Sequence, residues 1–178
     1  MDVGSVLNEY MEDTSLSEHD RLHAFPYFTN GTNWETLESS GWDDWIAGFW
    51  PGVNWMAYEQ DLRDLDEVVE LTRQVQPLPQ RNFNTGFRYQ YSWVPAYEAT
   101  GNPKFKRTAL DAARRLSECF RPRISLFCNP TEKEKFLKAA NDAMMNMPLL
   151  LWAAQHSPHD EHYRMTLEHY LERASKLF

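Results

Sequence analysis

Tyr97-Glu98-Ala99-Thr100-Gly101-Asn102-Pro103-Lys104-Phe105 carries the end of one helix and the beginning of the next. Glycine most readily takes the left-handed conformation that closes a helix. Asparagine accepts bonds from the first N–H groups of a new helix, and proline fits the first turn, where its missing N–H costs nothing. Downstream, Phe105, Ala109, Leu110, Ala113, Leu116 and Phe120 recur at three- and four-residue steps, the period of one helix face. Upstream, residues 84–99 supply Phe87, Tyr91, Val94, Tyr97 and Glu98 to a helix that ends at Gly101. Two helices joined by so short a link form an αα-hairpin.

The pattern continues in both directions. Pro51 suits a first helical turn, and Val53, Trp55, Met56 and Tyr58 extend it. Leu62, Leu65, Val68, Val69, Leu71 and Val75 make a further helix that Pro77 and Pro79 stop. A helix over roughly 140–155 follows an irregular 121–138 link containing the charge run EKEK, and Asp160 is expected to cap a last one carrying Tyr163, Leu167, Tyr170, Leu171, Ala174 and Leu177. Residues 1–24 are weakly amphipathic. Residues 25–45, rich in Gly, Asn, Ser and Thr without periodicity, read as a long loop, and long loops in compact domains often carry function. The fold class is all-α, built of αα-hairpins in one domain over residues 1–178.

Composition narrows the function. The 178 residues carry 18 Lys and Arg against 26 Asp and Glu, a formal charge of −8, which argues against non-specific nucleic-acid binding. Aromatic residues make up 14%, too many for a disordered chain. No apolar run approaches the ~20 residues of a membrane span, and the acidic start MDVGSVLNEYMEDTSLSEHD is no targeting signal. Cys119 and Cys128 cannot make a disulfide scaffold and lack metal-ligand spacing. A soluble, cytoplasmic protein is expected. The Asn30-Gly31-Thr32 sequon would matter only in a secreted one.

Three segments carry a resemblance. The first is Trp45-Ile46-Ala47-Gly48-Phe49-Trp50-Pro51-Gly52-Val53-Asn54-Trp55. The second is Gly86-Phe87 with Tyr97-Glu98-Ala99-Thr100-Gly101 and the Ala112-Ala113 helix. The third is Asn141-Asp142-Ala143-Met144-Met145-Asn146-Met147-Pro148-Leu149-Leu150-Leu151-Trp152-Ala153-Ala154. In this order they resemble the unsaturated glucuronyl hydrolases, glycoside hydrolase family 88, from Phe25-Pro26 to His169. The resemblance implies an (α/α)6 barrel of six hairpins, of which this chain is expected to hold the N-terminal half. The uncapped ending Ser175-Lys176-Leu177-Phe178 fits a truncated chain, whose open barrel edge would favour self-association.

The family's implied substrates are oligosaccharides ending in a 4,5-unsaturated uronic acid. A carboxylic acid protonates C4, water adds at C5, and the resulting hemiketal opens with loss of the glycosidic bond. The separation rule for paired carboxylates at an anomeric centre therefore does not apply. The resemblance assigns the proton donor to Asp142. A donor near neutrality needs burial to outweigh the helix N-terminus, which favours the anion by up to ~2 kcal/mol. The bland reading is that Asp142 or Asn141 caps its helix. Where the family has His-Asp-x-Gly-Phe, this chain has Phe83-Asn84-Thr85-Gly86-Phe87. Asn84 can bond a hydroxyl but cannot carry a proton. Substrate-binding expectations fall on Trp45, the family's stacking aromatic, on Phe127, which stands where a Trp is usual, and on Arg88, the cation inside a motif.

Other readings stay open. Trp42, Trp45, Trp50 and Trp55 crowd one stretch, and Trp50 and Trp55 suit core packing. His156, His159 and His162 lack a carboxylate or thiolate partner and read as a solvated helix terminus, and His169 matches a family histidine near the barrel rim. No metal and no cofactor are expected. The alternatives to the glucuronyl hydrolase are an unsaturated rhamnogalacturonyl hydrolase and a degenerate, non-catalytic member that at most binds sugar. A hairpin scaffold would need a repeat of fixed period, which the sequence lacks.

Overall fold

The computed structural model describes residues 3–12, 25–29, 33–37, 46–75, 84–128, 141–157 and 161–177. The chain packs as two compact units, Met1–Pro77 and Leu78–Phe178. Helices predominate in both. Among the described residues no helix is long and apolar enough to cross a membrane.

The first unit contains α1 (Val3–Met11), α2 (Phe49–Tyr58) and α3 (Leu65–Gln74). Tyr10 of α1 is fully buried, its ring edge-on to Trp50 at 4.8 Å and to Trp34 at 5.6 Å. The Trp55 indole N–H donates to Thr72 Oγ1 at 2.9 Å, joining α2 to α3 through a bond that buries both polar atoms without loss. Trp50 and Trp55 are thus core residues. Arg63 Nε donates to Asn54 Oδ1 at 3.0 Å and its guanidinium pairs with Glu67 at 3.3 Å, which fixes the link ahead of α3. Leu62 lies in that link, half exposed, rather than in the helix that its spacing suggested.

The 25–45 stretch is not all loop. β1 (Phe25–Thr29) pairs antiparallel with β2 (Trp34–Leu37), Phe25 opposite Leu37 and Thr29 opposite Trp34. Thr29 Oγ1 donates to the Asn33 carbonyl at 3.0 Å across the turn. Aromatic and β-branched residues favour such strands, and a two-stranded ribbon is all edge, so Pro26 is tolerated.

The second unit contains α4 (Thr85–Gln90), α5 (Trp93–Thr100), α6 (Pro103–Ser117), α7 (Met147–His156) and α8 (Glu161–Leu177). The helix expected over 84–99 is two helices. Pro95 has no N–H for the Tyr91 carbonyl and its ring would strike it, so the chain breaks at Tyr91-Ser92 and Pro95 falls in the first turn of α5. Pro148 acts alike: residues Asn141–Asn146 form a 3-10 helix and α7 begins only at Met147. Between α5 and α6 the hairpin forms as read. Gly101 has φ +66°, its N–H meets the Tyr97 carbonyl at 2.8 Å, and Asn102 Oδ1 accepts from the Lys104 N–H at 3.0 Å. Ala109, Ala112 and Ala113 are fully buried, and such small side chains let the neighbouring helices approach closely. The expected cap Asp160 lies outside the described residues, as do Pro77 and Pro79.

A second small ribbon begins at Phe120, which the spacing puts on the helix face, and runs into the expected 121–138 link. β3 (Phe120–Arg121) pairs with β4 (Leu126–Phe127), the Phe120 and Phe127 rings 5.1 Å apart. The Phe127 N–H turns outward from the ribbon and donates to Nδ1 of His169 on α8 at 3.2 Å. His169 is fully buried. Burial, and then the positive charge of Arg173, lower its pKa from 6.5 to about 4. The folded ring is neutral and its Nδ1 is an acceptor, whereas the unfolded ring takes up a proton below about pH 6.5. The unfolded state then binds more protons, so stability is full above pH 6.5 and falls between there and about pH 4. Urea unfolding from pH 7 to pH 4 should show that loss in the wild type and a shallower one in His169→Gln; parallel profiles would contradict it.

Candidate active site

The first turn of α4 leaves N–H groups that no helical carbonyl can reach. Asn84 occupies the capping position but makes no cap bond with its side chain. Asn146, fully buried, does so from another segment: its Oδ1 accepts from the Phe87 N–H at 3.0 Å, across 59 residues of sequence. Gly86 makes the approach possible, because a Cβ there would overlap the Cα, Cβ and carbonyl oxygen of Asn146. Asn146 in turn is the N-cap residue of α7 and makes no side-chain cap bond there.

That contact orders the candidate residues. Asn84 immediately precedes α4, and Asp142 lies in the 3-10 segment that ends at Asn146 and packs on α4. The start of α4 and the Asp142 segment therefore meet. Trp45 lies outside the described residues, and so does Phe83. Two other assignments fall on buried side chains. Phe127 is 1% exposed, its ring held between Phe120 and His169, so neither face is open to a sugar. Arg88 is 3% exposed, with its guanidinium 5.9 Å from the Tyr89 ring, so it lies in the core rather than at a surface where it could meet a carboxylate.

A second contact joins the same two motifs. The Trp152 indole N–H donates to Glu98 Oε1 at 2.8 Å, and the His156 ring stacks on Trp152 at 4.3 Å with Tyr97 edge-on to both. Each motif that carries the resemblance in this unit thus touches the other at two places. His156 is engaged here, His162 is buried, and His159 lies outside the described residues. Among the described residues no three His, Cys, Asp or Glu side chains gather as metal ligands do.

A solved unsaturated glucuronyl hydrolase from Streptococcus agalactiae superposes on 97% of this chain with a TM-score of 0.75 at 17% identity, and the match covers 45% of that structure. The fold is that of part of an (α/α)6 barrel. A curated unsaturated glucuronyl hydrolase of Bacillus sp. (strain GL1) is 27% identical over 158 residues, which is 83% of this chain and 41% of that protein. The chain is similar to unsaturated glucuronyl hydrolases over most of its length. The solved Bacillus sp. GL1 hydrolase has a TM-score of 0.69 at 22% identity, over 96% of this chain and 45% of that one. An unsaturated chondroitin disaccharide hydrolase of Streptococcus pneumoniae is 24% identical over 144 residues, 75% of this chain and 36% of that protein. The chain therefore spans about two fifths of the length of the curated relatives it matches. No family model matches it.

Asn146 was missed in the sequence because an Asn before Met-Pro reads as a local cap. The one signal was Gly86, whose missing side chain a close approach would explain. Replacing Gly86 by Ala should destabilise the protein by about 1–3 kcal/mol through overpacking. Asn146→Ala should cost about as much by leaving a buried donor unmet, and Asn146→Asp, which keeps the acceptor but buries a charge, should recover little of it near neutrality. Urea midpoints measure all three; a Gly86→Ala variant as stable as the wild type would contradict the contact.

Proposed function

We propose that this chain supplies part of a glycosidase site for oligosaccharides ending in a 4,5-unsaturated glucuronic acid. Asp142 is the proton donor to C4, water adds at C5, and the hemiketal that results opens and releases the glycosidic oxygen. The observation that carries the reading is the bond from the Phe87 N–H to Asn146, which holds the Asp142 segment against the helix that Asn84 precedes. The names of the similar proteins support the substrate class: an unsaturated glucuronyl hydrolase and an unsaturated chondroitin disaccharide hydrolase. A solved glucuronyl hydrolase variant from Streptococcus agalactiae, complexed with dGlcA-GalNAc6S, supports a sugar partner of that kind. Trp45 remains the aromatic proposed to stack on the sugar ring.

Each residue has a limited part. Asp142 can give and retake a proton. Asn84 can orient a hydroxyl or the attacking water through its amide, but cannot accept the water's proton as a carboxylate would. With Arg88 inside the core, the uronate carboxylate must find its cation elsewhere. These two facts favour a second reading, in which the chain binds the sugar but turns it over poorly. An unsaturated rhamnogalacturonyl substrate is the other variant of the same chemistry.

Loss of the double bond's ultraviolet absorbance distinguishes these readings. The wild-type chain should consume unsaturated glucuronyl disaccharide far more slowly than the ~1 per second of ordinary enzymes. Asn84→Asp alone should not restore that rate, since positioning contributes up to ~7–11 kcal/mol and the carboxylate would still be poorly held. Asp142→Asn should abolish the residual reaction. A residual rate that survives Asp142→Asn overturns the donor assignment, and preference for a rhamnogalacturonyl disaccharide moves the substrate class.

A further inference from the structure

Cys119 follows the C-terminal end of α6 and Cys128 follows β4, so the two close the mouth of the β3–β4 ribbon. The Cys128 N–H donates to the Cys119 carbonyl at 3.0 Å, one step beyond the Phe120–Phe127 pair. Residues opposed in this way on antiparallel strands project their side chains to the same face, with Cα atoms about 5.5 Å apart. That lies within the ~4.4–6.8 Å span of disulfides. Both side chains are buried, at 0% and 1% exposure. Cys119 Sγ points back to the Arg115 carbonyl at 3.7 Å, so a turn about its χ1 is what brings the sulfurs together.

We propose that Cys119 and Cys128 are a modification site, forming a reversible disulfide across the mouth of this ribbon. The oxidant is a small-molecule disulfide such as oxidised glutathione. When the ribbon opens locally, one cysteine thiolate attacks the oxidant and expels a glutathione thiolate; the second cysteine thiolate attacks the mixed disulfide and expels another. The two protein thiols lose their protons and two electrons, and one glutathione disulfide becomes two thiols. The bridge ties the end of α6 to β4, whose Phe127 N–H is held by α8 through a hydrogen bond. The native ribbon holds the two residues opposite one another, whereas the unfolded chain must close the 120–127 loop by chance.

The test is equilibration of the whole chain in glutathione redox buffers, acid quench, alkylation and mass measurement. In the folded protein a species two hydrogens lighter should form, with the Cys119 and Cys128 peptides linked. Its formation should be favoured at least about tenfold over that of the same chain in urea. A ratio near one, two alkylated cysteines under all buffers, or glutathione adducts alone would each overturn the proposal.

Discussion

Gly86 has no side chain where one would enter the backbone of Asn146, and Asn146 spends its side-chain oxygen on a helix other than its own. The exchange answers two demands together. A short helix must find acceptors for its first N–H groups, and a buried asparagine must find donors. The layer of α4, α6 and α7 settles around that point. Once α4 and the 3-10 segment are held this way, the positions of Asn84 and Asp142 follow from chain connectivity. No bond between those two residues is needed to bring their segments together.

The helices were legible wherever a local rule acted alone. Gly101-Asn102-Pro103 announced its hairpin because the left-handed turn, the cap and the proline are all decided within a few residues. Pro95 and Pro148 obey an equally local rule, and each divides a stretch, 84–99 and 140–155, whose apolar spacing runs on through it. The two ribbons were hidden for a different reason. Phe25–Thr29 and Phe120–Arg121 are too short for a period, and their partners, rather than their composition, make them strands.

The site was less legible than the fold. Motif order pointed to Asp142 and to the region of Asn84, since those residues lie inside long, unusual segments. Phe127 and Arg88 were assigned by position along a motif, which carries no information about the side toward which a residue faces. Burial by His169 and Phe120 removes Phe127 from any ligand, and packing removes Arg88. The histidines make the same point: His169 matched a family histidine by position alone, and the structure shows its ring accepting a backbone N–H in the core.

The central claim is that one small region, the start of α4 together with the Asp142 segment, receives the unsaturated sugar. Amide NMR of the isotopically labelled chain, titrated with millimolar unsaturated glucuronyl disaccharide, tests it most directly. The account predicts shifts concentrated at Asn84–Phe87 and Asn141–Asn146, with the amides around Trp152 and His156 moving little. Shifts confined to Trp152, His156 and α8, or none at any concentration reached, would contradict it.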